Sequence, residues 1–268
     1  MKNTSLPNVC VVVSTYNWPK ALEYCIRHLY IQTHLPNEII VADDGSGPET
    51  QTLMNRLIEE APAGVKVIHV WQEDKGFRLG KVRNKAFAKS GCEYIIQIDG
   101  DCIPEKHFVE DHLRVARTGY YVAGSRVLLP EAATKKILQG PILLPLRVPL
   151  CSMNMIRIPF AQLWLAPYYK QHNIMANRGG NCAFWKKDLI AVNGVDEDFE
   201  GWGHEDLDLF LRLQAVGIRK RFLKLGGVVF HLYHKMAERG KEQENLLRAQ
   251  QNRANGISRC KKGLDQYI

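Results

Sequence analysis

The sequence predicts an α/β protein built on a mostly parallel sheet with helices on both faces. Three observations point there. Short, β-branched apolar runs recur through the first 125 residues, and each is followed by a stretch with helical apolar spacing. Several of those stretches open on a proline, which is preorganised for a first helical turn. Polar clusters stand at the carboxyl ends of the runs, where open α/β sheets gather ligands. A chain of 268 residues with 46% hydrophobic and 24% charged content suits one globular unit with additions.

The elements follow in order. Residues 8–14, NVCVVVS, read as a buried strand. Trp18-Pro19 opens a helix with Leu22, Ile26 and Leu29 on one face. NEIIVA (37–42) is the next strand, and Pro48 starts a helix carrying Leu53 and Leu57. VKVIHV (65–70) is a third strand, and residues 80–89 are a third helix. EYIIQI (93–98) is a fourth strand, with a helix expected from Pro104 to about Arg117 and a fifth strand at YYVAG (120–124). The alternation breaks at 127–170, where prolines at 141, 145, 149, 159 and 167 forbid a long helix, so short helices and loops are expected. Regular structure returns as a strand and short helix over 179–194, an amphipathic helix over 204–217 closed by Gly217, a strand over 226–234 and a polar helix over 236–255.

Composition narrows the function. The N-terminal residues run into the first strand with no basic and apolar leader, and no run of about 18 apolar residues appears, so neither a signal peptide nor a membrane span is expected. The seven cysteines are scattered without a Cys-x-x-Cys pair, which argues against a disulfide framework or zinc site and for a reducing cytoplasm. Net charge is +8, of which residues 126–172 hold +5 and residues 235–268 hold +4. No nucleic-acid recognition motif accompanies this charge, so nucleic acid is not expected as a partner. Residues 136–169 mix apolar side chains with Arg, which fits a peripheral membrane contact, shared with the basic tail, as well as a lid packed over a substrate.

Three polar clusters, Ser14-Thr15-Tyr16-Asn17, Asp43-Asp44-Gly45-Ser46 and Asp99-Gly100-Asp101, are expected to converge on one rim. Asp99 and Asp101 follow an uncharged strand, where two unpaired carboxylates would repel, and a divalent ion such as Mg²⁺ or Mn²⁺ removes that cost. Asp43 and Asp44 suit a ribose hydroxyl or base N–H, or an Asx turn. Arg78, Lys81 and Arg83 near a helix start suit a pyrophosphate, or a solvated helix face. Gly201-Trp202-Gly203 sets an indole between two permissive residues, where it can stack on a sugar or simply pack. Glu205 and Asp206 open the next helix, where acids favour the dipole. His231 and His234 stand three apart in an expected strand, so at most one is expected at the ion.

In this order the segments VVVSTYN, IIVADDGSG, KVRNKA and IQIDGDCIP, followed by GGNCAFWKKDLIAVNGVDEDFEGWGHEDLDLFLRL, resemble the family 2 inverting glycosyltransferases. The last segment resembles the carboxyl-terminal module of galactosyl- and N-acetylgalactosaminyltransferases. The resemblance spans nearly the whole chain. It implies the A-type glycosyltransferase fold, a Rossmann-like sheet with a smaller acceptor-binding part. Residues 1–125 would then be the nucleotide-sugar-binding half. Residues 126–234 would be the acceptor-binding half with the 127–170 insertion, and 235–268 a basic helical tail.

The resemblance also implies roles. Thr15, Asn17 and Asp44 would meet the uridine, and Asp99 the ribose and metal. Asp101 would ligate Mn²⁺ or Mg²⁺, with His231 as a further ligand. Asp206 would be the catalytic base, with Glu205 beside it at sugar or acceptor hydroxyls and Trp202 lining the site. His204 departs from the Gly of many relatives, leaving acceptor contacts there open. The expected donor is a UDP-sugar carrying galactose or N-acetylgalactosamine, with glucose and N-acetylglucosamine as alternatives. The expected acceptor is a glycan or lipid-linked glycan of bacterial surface-polysaccharide synthesis. A sugar nucleotidyltransferase ranks below because VVVSTYNWPKA lacks a Gly-rich phosphate loop; a membrane-associated glycan-binding protein without turnover is the other alternative.

Overall fold

In chain order the elements are β1 (Val9–Thr15), α1 (Pro19–Leu29), β2 (Glu38–Asp43), α2 (Pro48–Glu59), β3 (Lys66–Trp71), α3 (Leu79–Lys89), β4 (Tyr94–Asp99), β5 (Cys102–Pro104), α4 (Phe108–Val115), β6 (Tyr120–Gly124) and β7 (Val127–Leu128). They continue with α5 (Glu131–Gln139), α6 (Pro159–Leu165), β8 (Asn181–Trp185), α7 (Lys186–Val192), α8 (Glu205–Ala215), β9 (Arg219–Leu223), β10 (Val229–His231) and α9 (Glu242–Ala254). The computed structural model describes residues 6–142, 152–174, 179–235 and 239–268.

β1 is buried along its whole length because it lies inside a sheet covered on both sides. Val9, Val11 and Val13 pack on one face with Leu22 of α1, Leu53 of α2 and Phe108 of α4. Cys10 and Val12 pack on the other with Val82 of α3, Leu189 of α7 and Phe210 of α8. This two-sided burial is why the sequence reads as a continuous apolar run rather than an alternation. The seven strands follow the order β3-β2-β1-β4-β8-β6-β9. β1–β2, β1–β4, β2–β3 and β6–β9 are parallel, while β8 runs antiparallel to both β4 and β6. The expected mostly parallel α/β architecture with helices on both faces is therefore observed.

Three local expectations differ. Pro104 ends the short strand β5 instead of opening a helix, and α4 begins at Phe108. β5 pairs antiparallel with β10, so Cys102 stands opposite His231. β9 has no counterpart among the expected strands because Arg219, Lys220 and Arg221 mask its apolar residues; it is an edge strand paired to β6. The strand expected over 226–234 shortens to β10, and the chain beyond His231 leaves the sheet. The insertion does form short helices, α5 and α6, but Pro145, Pro149 and Arg147 lie outside the described residues, as does Cys151. The expected tail helix is observed as α9; its proposed first residues 236–238 also lie outside them. Cys10, Cys25, Cys92, Cys102, Cys182 and Cys260 are free and buried, as small core side chains. No helix among the described residues is long and apolar enough to cross a membrane.

α8 is anchored by a buried ion pair. Asp208 and Arg212 are 0% and 1% exposed and meet at 2.7 Å. The guanidinium also donates to the carbonyls of Val192 (2.6 Å) and Gly194 (2.8 Å), and Asn252 of α9 donates to Asp208 (2.8 Å). Removing one partner leaves a buried charge without compensation. Asp208→Ala is expected to lower stability by about 3–5 kcal/mol, measured by urea unfolding. A loss below about 1 kcal/mol would contradict the buried pair as the anchor of α8.

Candidate functional site

Register brings the polar strand ends together. Thr15 stands beside Asp43 and Ser14 beside Asp99. Two backbone bonds tighten the rim, Asp44 N–H to Thr15 O at 3.1 Å and Gly100 N–H to Ser14 O at 2.7 Å. Asn17, in the left-handed region at φ 47°, turns the chain away from β1. Its amide N–H donates to Ser46 Oγ (2.8 Å), and its Oδ1 accepts from Gly47 N–H (2.9 Å). The clusters expected to converge do so.

Arg83 on α3 joins this rim to α8. It is 2% exposed. Its Nε donates to Ser14 Oγ at 3.0 Å, Nη2 to Asp99 Oδ1 at 3.1 Å and Nη1 to Glu205 Oε1 at 3.3 Å. The other oxygen of Asp99 accepts from Arg126 Nη1 at 3.2 Å. Gly180 makes room for that pair: a Cβ there would lie 2.2 Å from Asp99 Oδ2 and 2.7 Å from Arg126 Nη1. The neighbouring Gly179 N–H donates to Asp206 Oδ2 at 2.7 Å. Successive glycines thus carry Asp99 on one residue and Asp206 on the other. Asp206 Oδ1 accepts from Leu207 N–H at 2.8 Å, so both its oxygens act as acceptors.

Glu205 and Asp206 share a helix start but not an environment. Burial, and then the charge of Asp206, push the Glu205 carboxyl up to about 7, against the pull of Arg83. Asp206 is only half-buried and keeps contact with solvent. His204, at φ 68°, and Gly203, at φ 109°, supply the backbone turn that opens α8. Trp202 is half-buried, and the Arg239 guanidinium lies 4.5 Å from its ring centroid.

Asp101 stands between β4 and β5, and its carbonyl accepts from Leu232 N–H at 2.9 Å. Its carboxylate lies 3.1 Å from His234 Nε2 and 3.5 Å from His231 Nε2. Potential ligand atoms of Asp101, His231 and His234 all fall within 4.8 Å of one another. Sequence spacing had admitted at most one histidine. That expectation assumed an unbroken strand, but β10 ends at His231 and the turn beyond it brings His234 back. Burial holds His231 below the usual imidazole range, which keeps a lone pair available, whereas the hydrogen bond to Asp101 raises His234. The Asp101 carboxyl is lowered: burial opposes its charge, but the His234 hydrogen bond and the His231 charge outweigh it. One carboxylate and two imidazoles fit a divalent first-row ion, with Mn²⁺ suited better than Mg²⁺ because imidazole is a poor Mg²⁺ ligand. Asp99 also shares a grouping with Asp101 and Cys102. There, however, both oxygens of Asp99 are engaged by arginines, and burial holds the thiol protonated.

Other expected residues are held by protein partners of their own. Asp43 is 0% exposed, with His69 Nε2 at 2.9 Å and Ser46 N–H at 2.8 Å on its two oxygens, and it fixes the end of β2. Asp44 accepts from Gln72 Nε2 (2.6 Å) and Arg78 N–H (2.7 Å), which pins the α3 start to β2. Thr15 is buried, its side chain beside Gly100. Arg78 and Lys81 do not join Arg83: they line a separate cleft of about 120 Å³ with Glu197, Phe199, Glu200 and Lys262. The Arg78 guanidinium is held by the Glu73 carbonyl. Arg126 is a further residue at this rim, and its place just beyond the carboxyl end of β6 is the sequence signal for it.

Residues 10–181 match the family described as glycosyl transferase family 2. Residues 163–235 match the N-terminal domain of galactosyltransferase. Among curated proteins, the chain is 27% identical over 241 residues to validoxylamine A glucosyltransferase of Streptomyces hygroscopicus subsp. limoneus, covering 80% of this chain and 49% of that one. It is 25% identical over 238 residues to chondroitin synthase of Pasteurella multocida, covering 82% and 24%. The chain therefore spans about half of the first protein and about a quarter of the second. Among solved structures, S. aureus TarS 1–349 in complex with UDP superposes with TM-score 0.62 at 16% identity, covering 97% of this chain and 68% of that one. Mannosyltransferase PcManGT of Pyrobaculum calidifontis, in complex with GDP-Man and Mn²⁺, gives 0.59 at 19% identity, covering 87% and 59%. These likenesses establish an A-type glycosyltransferase fold.

The raised carboxyl of Glu205 sets a pH dependence of stability. Between its ordinary 4.5 and about 7, the folded protein holds a proton that the unfolded chain releases. Stability from this group is full below 4.5 and is lost as pH rises through 7. Glu205→Gln removes the titration while retaining an acceptor for Arg83. The melting temperature of the variant relative to the parent is expected to rise steadily from pH 4.5 to 7. A difference that stays flat across that window would contradict the assignment.

Proposed function

The chain belongs to glycosyl transferase family 2, and on that premise we propose that it transfers a hexose or N-acetylhexosamine from a UDP-sugar to an acceptor hydroxyl, by one metal-dependent displacement that inverts the anomeric centre. The observation that carries this reading is what Arg83 links: it bonds Asp99, two residues from Asp101 of the cation-binding set Asp101, His231 and His234, and it bonds Glu205, next to the accepting carboxylate of Asp206. Leaving-group chemistry and proton abstraction need those two functions on opposite sides of the transferred sugar.

Asp206 is the base. It is solvent-accessible, both its oxygens are aligned by backbone N–H groups, and it takes the proton of the attacking hydroxyl as that oxygen reaches the anomeric carbon. Glu205, neutral over much of the range below pH 7, donates or accepts at a sugar hydroxyl while its partner Arg83 holds it in place. Asp99, clamped between Arg83 and Arg126, is an oriented acceptor for the ribose, with both oxygens already engaged by guanidiniums. Asp101, His231 and His234 would hold Mn²⁺ or Mg²⁺, which when bound supplies charge neutralisation to the departing diphosphate. Arg126, beside Asp99, adds a guanidinium at the same place. Thr15, Asn17 and Asp44 line the nucleotide end, and Trp202 the sugar and acceptor end.

A galactose or N-acetylgalactosamine donor is favoured by the match of residues 163–235, with glucose and N-acetylglucosamine as alternatives. The likeness to a UDP-bound neighbour supports the uridine nucleotide, and the likeness to a chondroitin synthase supports a glycan acceptor in bacterial surface-polysaccharide synthesis. The buried free thiols suit a cytoplasmic setting.

A UDP-sugar panel with Mn²⁺ is expected to yield UDP, whereas release of pyrophosphate would indicate nucleotidyl transfer. Asp206→Asn is expected to lower kcat about 10²–10⁴-fold with donor KM little changed. Asp101→Ala is expected to abolish turnover while leaving the fold intact by circular dichroism. UDP release by Asp206→Asn at the parental kcat would remove Asp206 as base. No turnover of any donor by the parent would overturn the reading as a whole.

A further inference from the structure

Helix α6 is inside out. Its fully buried residue is the polar Gln162, whose Nε2 donates to the Leu225 carbonyl at 2.9 Å. On the opposite side Phe160 is 85% exposed, Leu163 50% and Trp164 72%, and Tyr168 just beyond the helix is 73% exposed. Positions 160, 163 and 164 share one helical face. A water-facing helix would carry the reverse pattern, and a contiguous apolar face of this kind marks a contact surface.

The same sheet edge is basic. α6 packs against β9, and the Ala166 carbonyl just beyond it accepts from Phe222 N–H at 2.9 Å. β9 carries Arg219 and Arg221, which with Arg117 surround the Tyr120 ring, their guanidinium carbons 4.7, 5.8 and 5.6 Å from its centroid. Among the described residues none of these three arginines is paired with a carboxylate, and the Nε of the 7% exposed Arg221 has no partner. Residues 126–172 add a net charge of +5. Three like charges around one ring repel unless an anion shares them. Aromatic side chains that project from a surface flanked by unpaired arginines combine apolar insertion with headgroup attraction.

We propose that the β9 edge, with the outer face of α6 and the Arg117, Arg219 and Arg221 cluster, docks the protein on an anionic lipid surface. The aromatic face enters the headgroup boundary and the exposed guanidiniums of Arg117 and Arg219 meet lipid phosphates. The contact is separate from the catalytic groups and is tested without donor or acceptor, so its failure leaves the proposed reaction untouched.

The full chain is sedimented with phosphatidylglycerol–phosphatidylcholine vesicles and with pure phosphatidylcholine vesicles at low and high salt. Binding is expected on the anionic vesicles at low salt, with partial release at high salt. Arg117→Gln combined with Arg219→Gln is expected to weaken it about fivefold per charge removed. Phe160→Ser combined with Trp164→Ser is expected to weaken it at both salts with the melting temperature unchanged. Absence of binding to anionic vesicles at low salt overturns the proposal. So does binding that both pairs of substitutions leave intact. A dimer abolished by Phe160→Ser and Trp164→Ser, without vesicle binding, overturns it in favour of a second copy of the chain.

Discussion

One buried guanidinium organises the catalytic end of the molecule. Arg83 is enclosed, so its charge needs anions and acceptors within reach, and it finds Ser14 on β1, Asp99 at the end of β4 and Glu205 at the start of α8. Those residues are separated by up to 191 positions in sequence. Their meeting follows from the adjacency of β1 and β4 and from the docking of α8 beside α3 on the same face. Because Arg83 is bonded on two sides, Asp99 and Glu205 are each held in a fixed direction.

That constraint separates two acids that look equivalent in sequence. Asp99 has its charge satisfied by Arg83 and Arg126, whereas Asp101 faces two imidazoles. In the proposed reaction the Asp-Gly-Asp step therefore divides its labour between orienting and cation holding. Gly100 permits the division, since a Cβ there would lie 3.0 Å from the Ser14 carbonyl. Glu205 and Asp206 are divided in the same way, by burial against Arg83 on one side and by backbone N–H groups on the other. In both pairs, neighbours decide function more than residue type does.

The strands and most helices were legible because their burial on two faces writes itself as uninterrupted apolar runs, and the rim clusters were legible because they stand at strand ends. What escaped depended on turns and pairing. Pro104 reads locally as a helix start, yet long-range pairing with β10 makes it a strand end. β9 was hidden by cations that lie on an edge, where a strand tolerates them. His234 was set aside by strand periodicity, which fails once the chain leaves β10 one residue after Phe230. The opposed roles of Arg78, Lys81 and Arg83 could not be read from spacing, since only packing distinguishes a buried guanidinium from one at a cleft.

The most direct measurement is the anomalous-scattering position of Mn²⁺ in crystals grown with UDP. The ion is expected to be ligated by Asp101, His231 and His234, with Asp99 still bridged between Arg83 and Arg126. An ion held between Asp99 and Asp101, with either histidine turned away and Arg83 released from Asp99, would contradict the division of labour on which the proposed reaction rests.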